Sequence, residues 1–206
     1  PTDRPRLSFG GRFDNQWFTG TDGSRFHNSG VSANVSGEVD LLPDFLTFKV
    51  GASHVWGGIP LAENFIQNPA WNYGTGPTPV TSNNVTAGLE GYYEGFTFNA
   101  KLFHSDIRNA RSPAYGSAPF PPALSANRTF DLKSWGWEIG VGYEWSAGFV
   151  RARFADVYAD IDGAPADSEI GRYLTTPLGQ IIMLTAGYEF ADWGLTLGAD
   201  AEFGLA

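Results

Sequence analysis

Residues 134–144 read Ser-Trp-Gly-Trp-Glu-Ile-Gly-Val-Gly-Tyr-Glu and alternate without exception between two kinds of side chain. The odd-numbered positions, from Trp135 to Tyr143, are large and apolar, whereas the even-numbered positions are serine, glycine or glutamate. Successive side chains of a β-strand point to opposite faces. The segment therefore predicts a strand with one apolar face and one face of glycine and carboxylate.

The same period of two recurs along the whole chain. Strands are predicted around 7–14 and at 30–41, 45–56, 84–93, 96–107, 132–145, 149–160, 179–190 and 194–205. The stretch 149–161 departs from the pattern because Asp156 falls among the apolar positions, which indicates either a place above a membrane or a β-bulge. The pattern predicts an all-β protein, an antiparallel meander of about nine strands.

Charged residues decide which face of this meander points outward. They recur on the polar parity of strand after strand, and they are predicted to line a lumen: Glu38, Lys49, Glu90, Lys101, Glu138, Glu144, Arg151, Arg153 and Glu189. So many ionised groups suit a wide, wet or plugged interior rather than one filled with side chains. No apolar run approaches the roughly 20 residues that a membrane helix needs. The apolar face is therefore predicted to contact lipid, as in a transmembrane β-barrel.

The connections between strands fall into two length classes that alternate. Tight turns are predicted at 42–44, 94–95, 146–148 and 191–192, and long loops at about 57–83, 108–131 and 161–178. Short periplasmic turns and long extracellular loops are typical of outer-membrane barrels. Aromatic residues near the predicted strand ends, among them Trp17, Trp56, Trp145 and Trp193, are expected to form interfacial girdles. The chain 1–206 is predicted to be one barrel segment, a fragment of a larger protein.

Composition excludes several classes of function. The formal charge of −9 argues against a nucleic-acid partner, and the absence of cysteine excludes thiolate metal sites and cysteine catalysis. Glu138 and Glu144 share a face, but spacing alone does not make them a catalytic pair. His54 and His104 fall on the lipid-facing parity, and Asp160-Ile-Asp-Gly lacks the full spacing of a calcium loop. No enzyme activity, resident cofactor or metal site is predicted.

Three stretches resemble a known family. Residues 47–69, Thr-Phe-Lys-Val-Gly-Ala-Ser-His-Val-Trp-Gly-Gly-Ile-Pro-Leu-Ala-Glu-Asn-Phe-Ile-Gln-Asn-Pro, are similar to a segment of TonB-dependent outer-membrane receptors. Residues 88–110, which begin Gly-Leu-Glu-Gly-Tyr-Tyr, resemble the hairpin that follows it in that family. Thr176-Pro-Leu-Gly and Leu184-Thr-Ala-Gly-Tyr-Glu-Phe are similar to a later hairpin. The resemblance covers about residues 45–206.

The resemblance implies a part of a barrel of 22 strands in the outer membrane of a Gram-negative bacterium. It implies an N-terminal plug domain, absent from this chain, through which TonB acts. It also implies a small-molecule ligand at the extracellular face, a ferric siderophore or a related iron chelate, haem or cobalamin. Iron would then be present only as part of the transported chelate, and the other partner of the chain would be membrane lipid.

The long loops carry the candidate ligand contacts. They are Trp71, Tyr73, Arg111, Tyr115, Arg128 and Tyr173. Arginine offers charge and planar stacking to an anionic chelate, and aromatic rings offer apolar faces, although these rings would also serve to pack the loops. A short helix is expected at 60–67. A passive porin-like channel and a small structural or engineered barrel remain alternatives, and the latter would need its first and last strands to pair.

Overall fold

The computed structural model describes residues 5–20, 22–59, 76–111, 129–166 and 179–205. Its strands are β1 (Arg6–Thr19), β2 (Arg25–Leu42), β3 (Leu46–Gly58), β4 (Val80–Tyr93), β5 (Phe96–Arg111), β6 (Thr129–Trp145), β7 (Gly148–Ile161), β8 (Ala164–Pro165), β9 (Gly179–Phe190) and β10 (Leu195–Leu205). A single turn of 3-10 helix, Ala191–Trp193, is the other regular element of the described residues. No helix in these ranges is long and apolar enough to cross a membrane.

The strands form one antiparallel sheet in chain order. The path runs β1-β2-β3-β4-β5-β6-β7-β9-β10, and the two-residue β8 pairs with β7 beside it. The predicted all-β meander is therefore confirmed, with nine long strands and the additional short one. Every pairing among the described strands is antiparallel.

The sheet has two different ends. At one end, here called the turn end, short connections follow β2, β4, β6 and β9. Glu94 and Gly95 both have positive φ, 46° and 88°, as a two-residue type I′ hairpin turn requires. The predicted two-residue turn at 191–192 is instead the 3-10 turn, which Gly194 closes with φ 58°.

At the opposite end, here called the loop end, the chain leaves β3, β5 and β7 toward residues 60–75, 112–128 and 167–178. The strands extend into the ranges predicted as loops, since β3 continues to Gly58, β5 to Arg111 and β6 begins at Thr129. The predicted helix at 60–67 lies outside the described residues.

The apolar parity of the sheet is exposed in the isolated chain. Phe9 is 84% exposed and Val141 is 63% exposed, and both lie on that parity. The buried apolar side chains of the described residues are few, namely Trp56, Ile59, Ile161 and Ala166. A water-soluble sheet would cover such a surface, because large contiguous apolar patches mark interaction with a partner or a membrane. The sheet is thus a wall with an apolar outer face, as the sequence pattern predicts.

Asp156 is the exception on the apolar parity, and the structure shows how it is accommodated. The β6–β7 register runs without a shift from Leu132 and Ile161 to Trp145 and Gly148, so the bulge considered above is absent from this pair. Asp156 stays opposite Trp137, is only 7% exposed, and accepts a hydrogen bond of 3.1 Å from the Tyr158 hydroxyl. A buried carboxylate needs such a donor because unpaired polar burial is costly.

Candidate functional site

The polar face of the sheet carries charges that alternate in sign from strand to strand. Following the sheet from β1 to β7, the series is Arg6, Glu38, Lys49, Glu90, Lys101, Glu138 and Arg153. The strand register places Glu38 opposite Lys49 and Lys101 opposite Glu138. Arg6 was missed by the sequence pattern, although extending the parity of β1 by one residue would have included it. We call this series the charge ladder.

Some members of the charge ladder form ion pairs with their neighbours. Lys49 Nζ lies 2.5 Å from Glu90 Oε2, and Arg6 Nε lies 2.5 Å from Glu38 Oε1. Closer to the turn end, Arg151 pairs with Glu144. Exposed ion pairs of this kind contribute only about 0–1 kcal/mol each to stability. The charge ladder therefore contributes little to the stability of the sheet. Its main effect is the electrostatic field that a ligand or domain bound at this face would meet.

A concave surface of about 630 Å³ lies on the polar face. Six of the predicted lumen residues line it: Glu38, Lys49, Glu90, Lys101, Glu138 and Arg153. Glu144 and Arg151 line a smaller concavity of about 190 Å³, and Glu189 lines a third of about 310 Å³. The register thus gathers most of the predicted set on one wall, with the others nearer the turn end.

Two cations of the charge ladder have no acidic partner in the described part of the wall. Within the described ranges, Lys101 and Arg153 form no ion pair, and Glu138 receives only an amide hydrogen bond of 3.4 Å from Asn99. Beyond β7 the face becomes acidic, because β9 and β10 contain Glu189, Asp200 and Glu202 and no lysine or arginine. The polar face therefore has a mixed region with spare positive charge and an acidic region beside it.

The loop end of β1–β3 contains a small apolar cluster that the sequence pattern missed. Trp56 was predicted to be an interfacial aromatic, which is wrong: it is 8% exposed and packs on Gly30, where an added Cβ would lie 2.1 Å from Trp56 Cγ. Gly30 shares the polar parity of β2, so the indole lies on the inner side of the wall. Trp56 is the last residue before a register shift between Trp56 and Gly58, where β3 departs from the regular alternation.

Gln16 fixes the point at which the chain leaves β3. Its side-chain amide donates to the Ile59 carbonyl oxygen at 2.9 Å and accepts from the Ile59 N–H at 2.7 Å. This pair of bonds imitates the pairing of one strand residue with another. Residues 60–75 consequently begin from a buried and doubly bonded position, since Ile59 is also among the buried apolar residues.

The β1–β2 turn is held by a local carboxylate. Asp22 accepts hydrogen bonds from the Ser24 hydroxyl at 2.5 Å and from the Ser24 backbone N–H at 2.9 Å, which lower the pKa of Asp22. Because the folded-state pKa is depressed, the contribution of these bonds to stability is present at neutral pH. It is lost as the pH falls through the folded-state pKa.

The predicted ligand contacts of the long loops fall mostly outside the described residues. Trp71, Tyr73, Tyr115, Arg128 and Tyr173 are all in the ranges that the structure does not describe. Arg111 is the last residue of β5, where its backbone pairs with Thr129. These assignments therefore stay predictions.

The three histidines lie on β2, β3 and β5, and they are not gathered into one site. His54 Nδ1 is 2.7 Å from Asn83 Oδ1, and His27 Nε2 is 3.2 Å from Asn15 Oδ1. Across the described strands and turns, no group of three or more His, Asp or Glu side chains could hold a metal ion.

Comparison with known proteins identifies the family. The family model described as TonB dependent receptor-like, beta-barrel matches residues 1–205. No curated protein sequence matches the chain.

Several solved structures share the fold at low sequence identity. The FrpB iron transporter of Neisseria meningitidis (F3-3 variant) superposes with a TM-score of 0.73 at 15% identity, over 99% of this chain and 31% of that one. The copper transporter OprC gives 0.62 at 16% identity, over 91% and 30% of the two chains. A chain of the FpvAI–pyocin S2 complex gives 0.67 at 20% identity, over 98% and 26%.

The present chain thus spans between about a quarter and a third of the length of these three proteins. The family match over nearly the whole chain, together with the shared fold, agrees with the apolar outer face and the charged inner face of the sheet. The chain belongs to the family of TonB-dependent receptor-like β-barrels.

Proposed function

We propose that this chain forms part of the barrel wall of an outer-membrane receptor that binds and imports a ferric siderophore or a related iron chelate. The observation that carries the proposal is the charged, concave inner face of a wall whose outer face is apolar. Such a wall separates an aqueous interior from lipid, as a transport barrel requires. Membership of the family supports a place in the outer membrane of a Gram-negative bacterium and a role in transport rather than in catalysis.

The choice of an iron chelate rests on two supports. FrpB is an iron transporter, and its structure covers nearly all of this chain. The long loops also bring arginine and aromatic residues together in sequence, which suits flat and anionic ferric complexes. OprC is a copper transporter of the same fold, so a copper complex is the second candidate ligand.

The partner of the inner face is proposed to be a plug domain on which TonB acts. Lys101 and Arg153 have no acidic partner in the described wall, while β9 and β10 offer carboxylates without cations. A plug with acidic side chains opposite Lys101 and Arg153 and basic side chains opposite the carboxylates of β9 and β10 would form ion pairs with both groups. Electrostatic complementarity of this kind fixes the orientation of a docked domain more than its affinity.

The two alternative functions, a self-contained small barrel and a passive porin-like channel, predict different properties. A self-contained small barrel needs its first and last strands to pair, whereas β1 and β10 are not paired with each other in the described sheet. A passive porin-like channel would transport solutes without TonB. Uptake of iron by cells that contain the full-length parent receptor but lack TonB would favour that alternative.

Replacing both Arg111 and Arg128 with alanine is expected to weaken binding of an anionic ferric chelate by roughly three- to tenfold at low salt. The physical reason is that exposed positive charge steers and holds an anionic ligand, and that salt screens this attraction. The affinity of the variant should accordingly depend less on salt concentration than that of the parent. The measurement is binding of radioactive ferric citrate and a ferric tricatecholate to whole cells at two ionic strengths.

A matched control removes two other arginines. Arg12 and Arg151 lie on strands and are ion-paired with Asp14 and Glu144, so alanine at both positions should leave surface binding unchanged. Surface expression is measured for each variant. Deleting the three long loops without loss of uptake of either iron source, or of a copper complex, would refute the receptor proposal.

A further inference from the structure

The β5–β6 pair contains a bulge at the loop end, where the single residue Asp131 lies opposite two residues of β5. Ile107 pairs with Leu132 and Ala110 pairs with Phe130, so Arg108 and Asn109 together face Asp131. A bulge that places two residues opposite one bends the strand and re-aims its side chains. Asp131 is therefore in a position to serve both bulge residues at once.

The carboxylate of Asp131 binds both of them. Its Oδ2 accepts a hydrogen bond of 2.6 Å from Arg108 Nη1, and its Oδ1 accepts one of 3.2 Å from the Asn109 backbone N–H. Arg108 also donates to Asp106 Oδ2 at 2.8 Å, which orients the guanidinium from its other side. The bulge thus has a charged support rather than only the bonds of the strand ladder.

The backbone of Asp131 extends the same connection to the β7–β8 turn. Its N–H donates to Asp162 Oδ1 at 2.7 Å, and its carbonyl oxygen accepts from the Asp162 N–H at 2.8 Å. On the opposite side, Asn109 Nδ2 donates to the Pro79 carbonyl oxygen at 3.2 Å, next to the first residue of β4. A continuous series of hydrogen bonds therefore crosses the loop ends of β4, β5, β6 and β7.

The backbone conformations of this series are unusual. Asn109 and Asp162 have φ of 57° and 50°, in the left-handed region that residues other than glycine seldom adopt. The other such residues among the described ones, Asp44 and Glu94, lie in tight turns at the opposite end of the sheet. Strained conformations persist where surrounding contacts hold them in place. Here those contacts converge on Asp131.

We propose that Asp131 is a positioning residue that holds the loop ends of β4 to β7 in one fixed arrangement. Residues 60–75 enter β4, residues 112–128 join β5 to β6, and residues 167–178 follow β8. Asp131 consequently sets the relative positions of the strand ends that carry all three long loops. Its importance for ligand capture rests on the proposed function, whereas the mechanical role does not.

The test measures the separation of the strand ends directly. Nitroxide spin labels are attached to cysteines at Thr78, beside Pro79, and at Ala164, in β8, in the full-length parent receptor in lipid vesicles without any iron chelate. Asp131→Ala is expected to widen the Thr78–Ala164 distance distribution by about twofold, because the strand ends lose their shared support. Asp131→Asn keeps the acceptor for Asn109 but loses the charge opposite Arg108, so an intermediate width is expected.

Two controls separate this effect from a general loss of structure. Asp160 lies at the same end of β7, where its backbone pairs with Lys133 and Pro165, and its side chain forms no hydrogen bond or ion pair with the described residues, so Asp160→Ala should leave the width unchanged. A second label pair at Glu94 and Ser146, in the turn end, should be unaffected by every variant.

An unchanged Thr78–Ala164 width in Asp131→Ala, in a barrel that still shows heat-modifiable migration on gels, would overturn the proposal. If Asp131→Ala does not assemble, Asp131→Asn decides in the same way, by broadening or by its absence. Because no ligand is used, failure of iron uptake would contradict the proposed function without touching this result.

Discussion

Arginine in place of Ile139 is expected to lower the free energy of unfolding of the membrane-inserted barrel by about 2–4 kcal/mol. Ile139 lies on the apolar parity of β6, is 49% exposed in the isolated chain, and pairs with Ala100 and Phe154 on the neighbouring strands. A guanidinium at this place would lie in hydrocarbon, where its loss of hydration is not compensated. The measurement is urea unfolding of the full-length parent receptor in lipid vesicles, followed by tryptophan fluorescence.

The matched control introduces the same side chain on the other face. Thr86 lines the concave polar surface, so Thr86→Arg adds a charge among existing charges and should change the free energy of unfolding by about 0.5 kcal/mol or less. Ile139→Leu, which keeps the volume and the apolar surface, should also have a small effect. Equal costs for arginine at positions 139 and 86 would contradict the assignment of the two faces, and a larger cost at position 86 would show that the assignment is inverted.

This pair of variants tests the part of the fold that sequence could predict. The alternation of Trp135, Trp137 and Ile139 with glycine and glutamate follows from strand geometry alone, so it predicted the strand and its two faces. Once neighbouring strands are joined by tight turns, the antiparallel register follows as well. Lys101 therefore faces Gly88 in the hairpin that turns at Glu94 and Gly95.

The places where prediction failed are those where the period of two is interrupted. A bulge adds one residue and transfers every later side chain to the other face, which sequence parity alone does not reveal. Trp56 is the last residue before such a shift, and its side chain lies on the inner side of the wall. Asp131 lies at another shift, opposite the two bulge residues of β5. The contacts of Gln16 with Ile59 join residues 43 positions apart, and no local pattern indicates them.

The candidate site residues also fall into two groups, those on strands, which parity predicts, and those in loops, which it does not. The lumen residues are strand residues, and their place on one wall follows from parity and register. The ligand contacts proposed at Trp71, Tyr115 and Arg128 lie in segments where periodicity gives no constraint, because loop conformation depends on contacts that are distant in sequence. The prediction of ligand contacts in these segments therefore rests on the chemistry of the residue types alone.

Alanine in place of Gly30 is expected to destabilise the barrel by up to about 3 kcal/mol, through the displacement of Trp56. An added Cβ would lie 2.1 Å from both Cγ and Cδ1 of the indole, so the ring as a whole must leave its position on β2. The anchor of residues 60–75 at Gln16 and Ile59 would be disturbed with it, since Trp56 also lies against Gly58. Urea unfolding gives the cost, and increased acrylamide quenching of tryptophan reports exposure of the indole.

Two further variants make this expectation specific. Gly37, also in β2, would place an added Cβ no nearer than 3.8 Å to any atom of β1 or β3, so Gly37→Ala should be neutral or stabilising by about 0.4–1 kcal/mol through a less flexible unfolded chain. The same substitution would thus have opposite signs at two strand glycines. In a Trp56→Ala background the cost of Gly30→Ala should disappear, because the clash no longer has a partner. A cost that persists in that background would mean that Gly30 is required by the backbone of β2, and that the inward packing of Trp56 is not its cause.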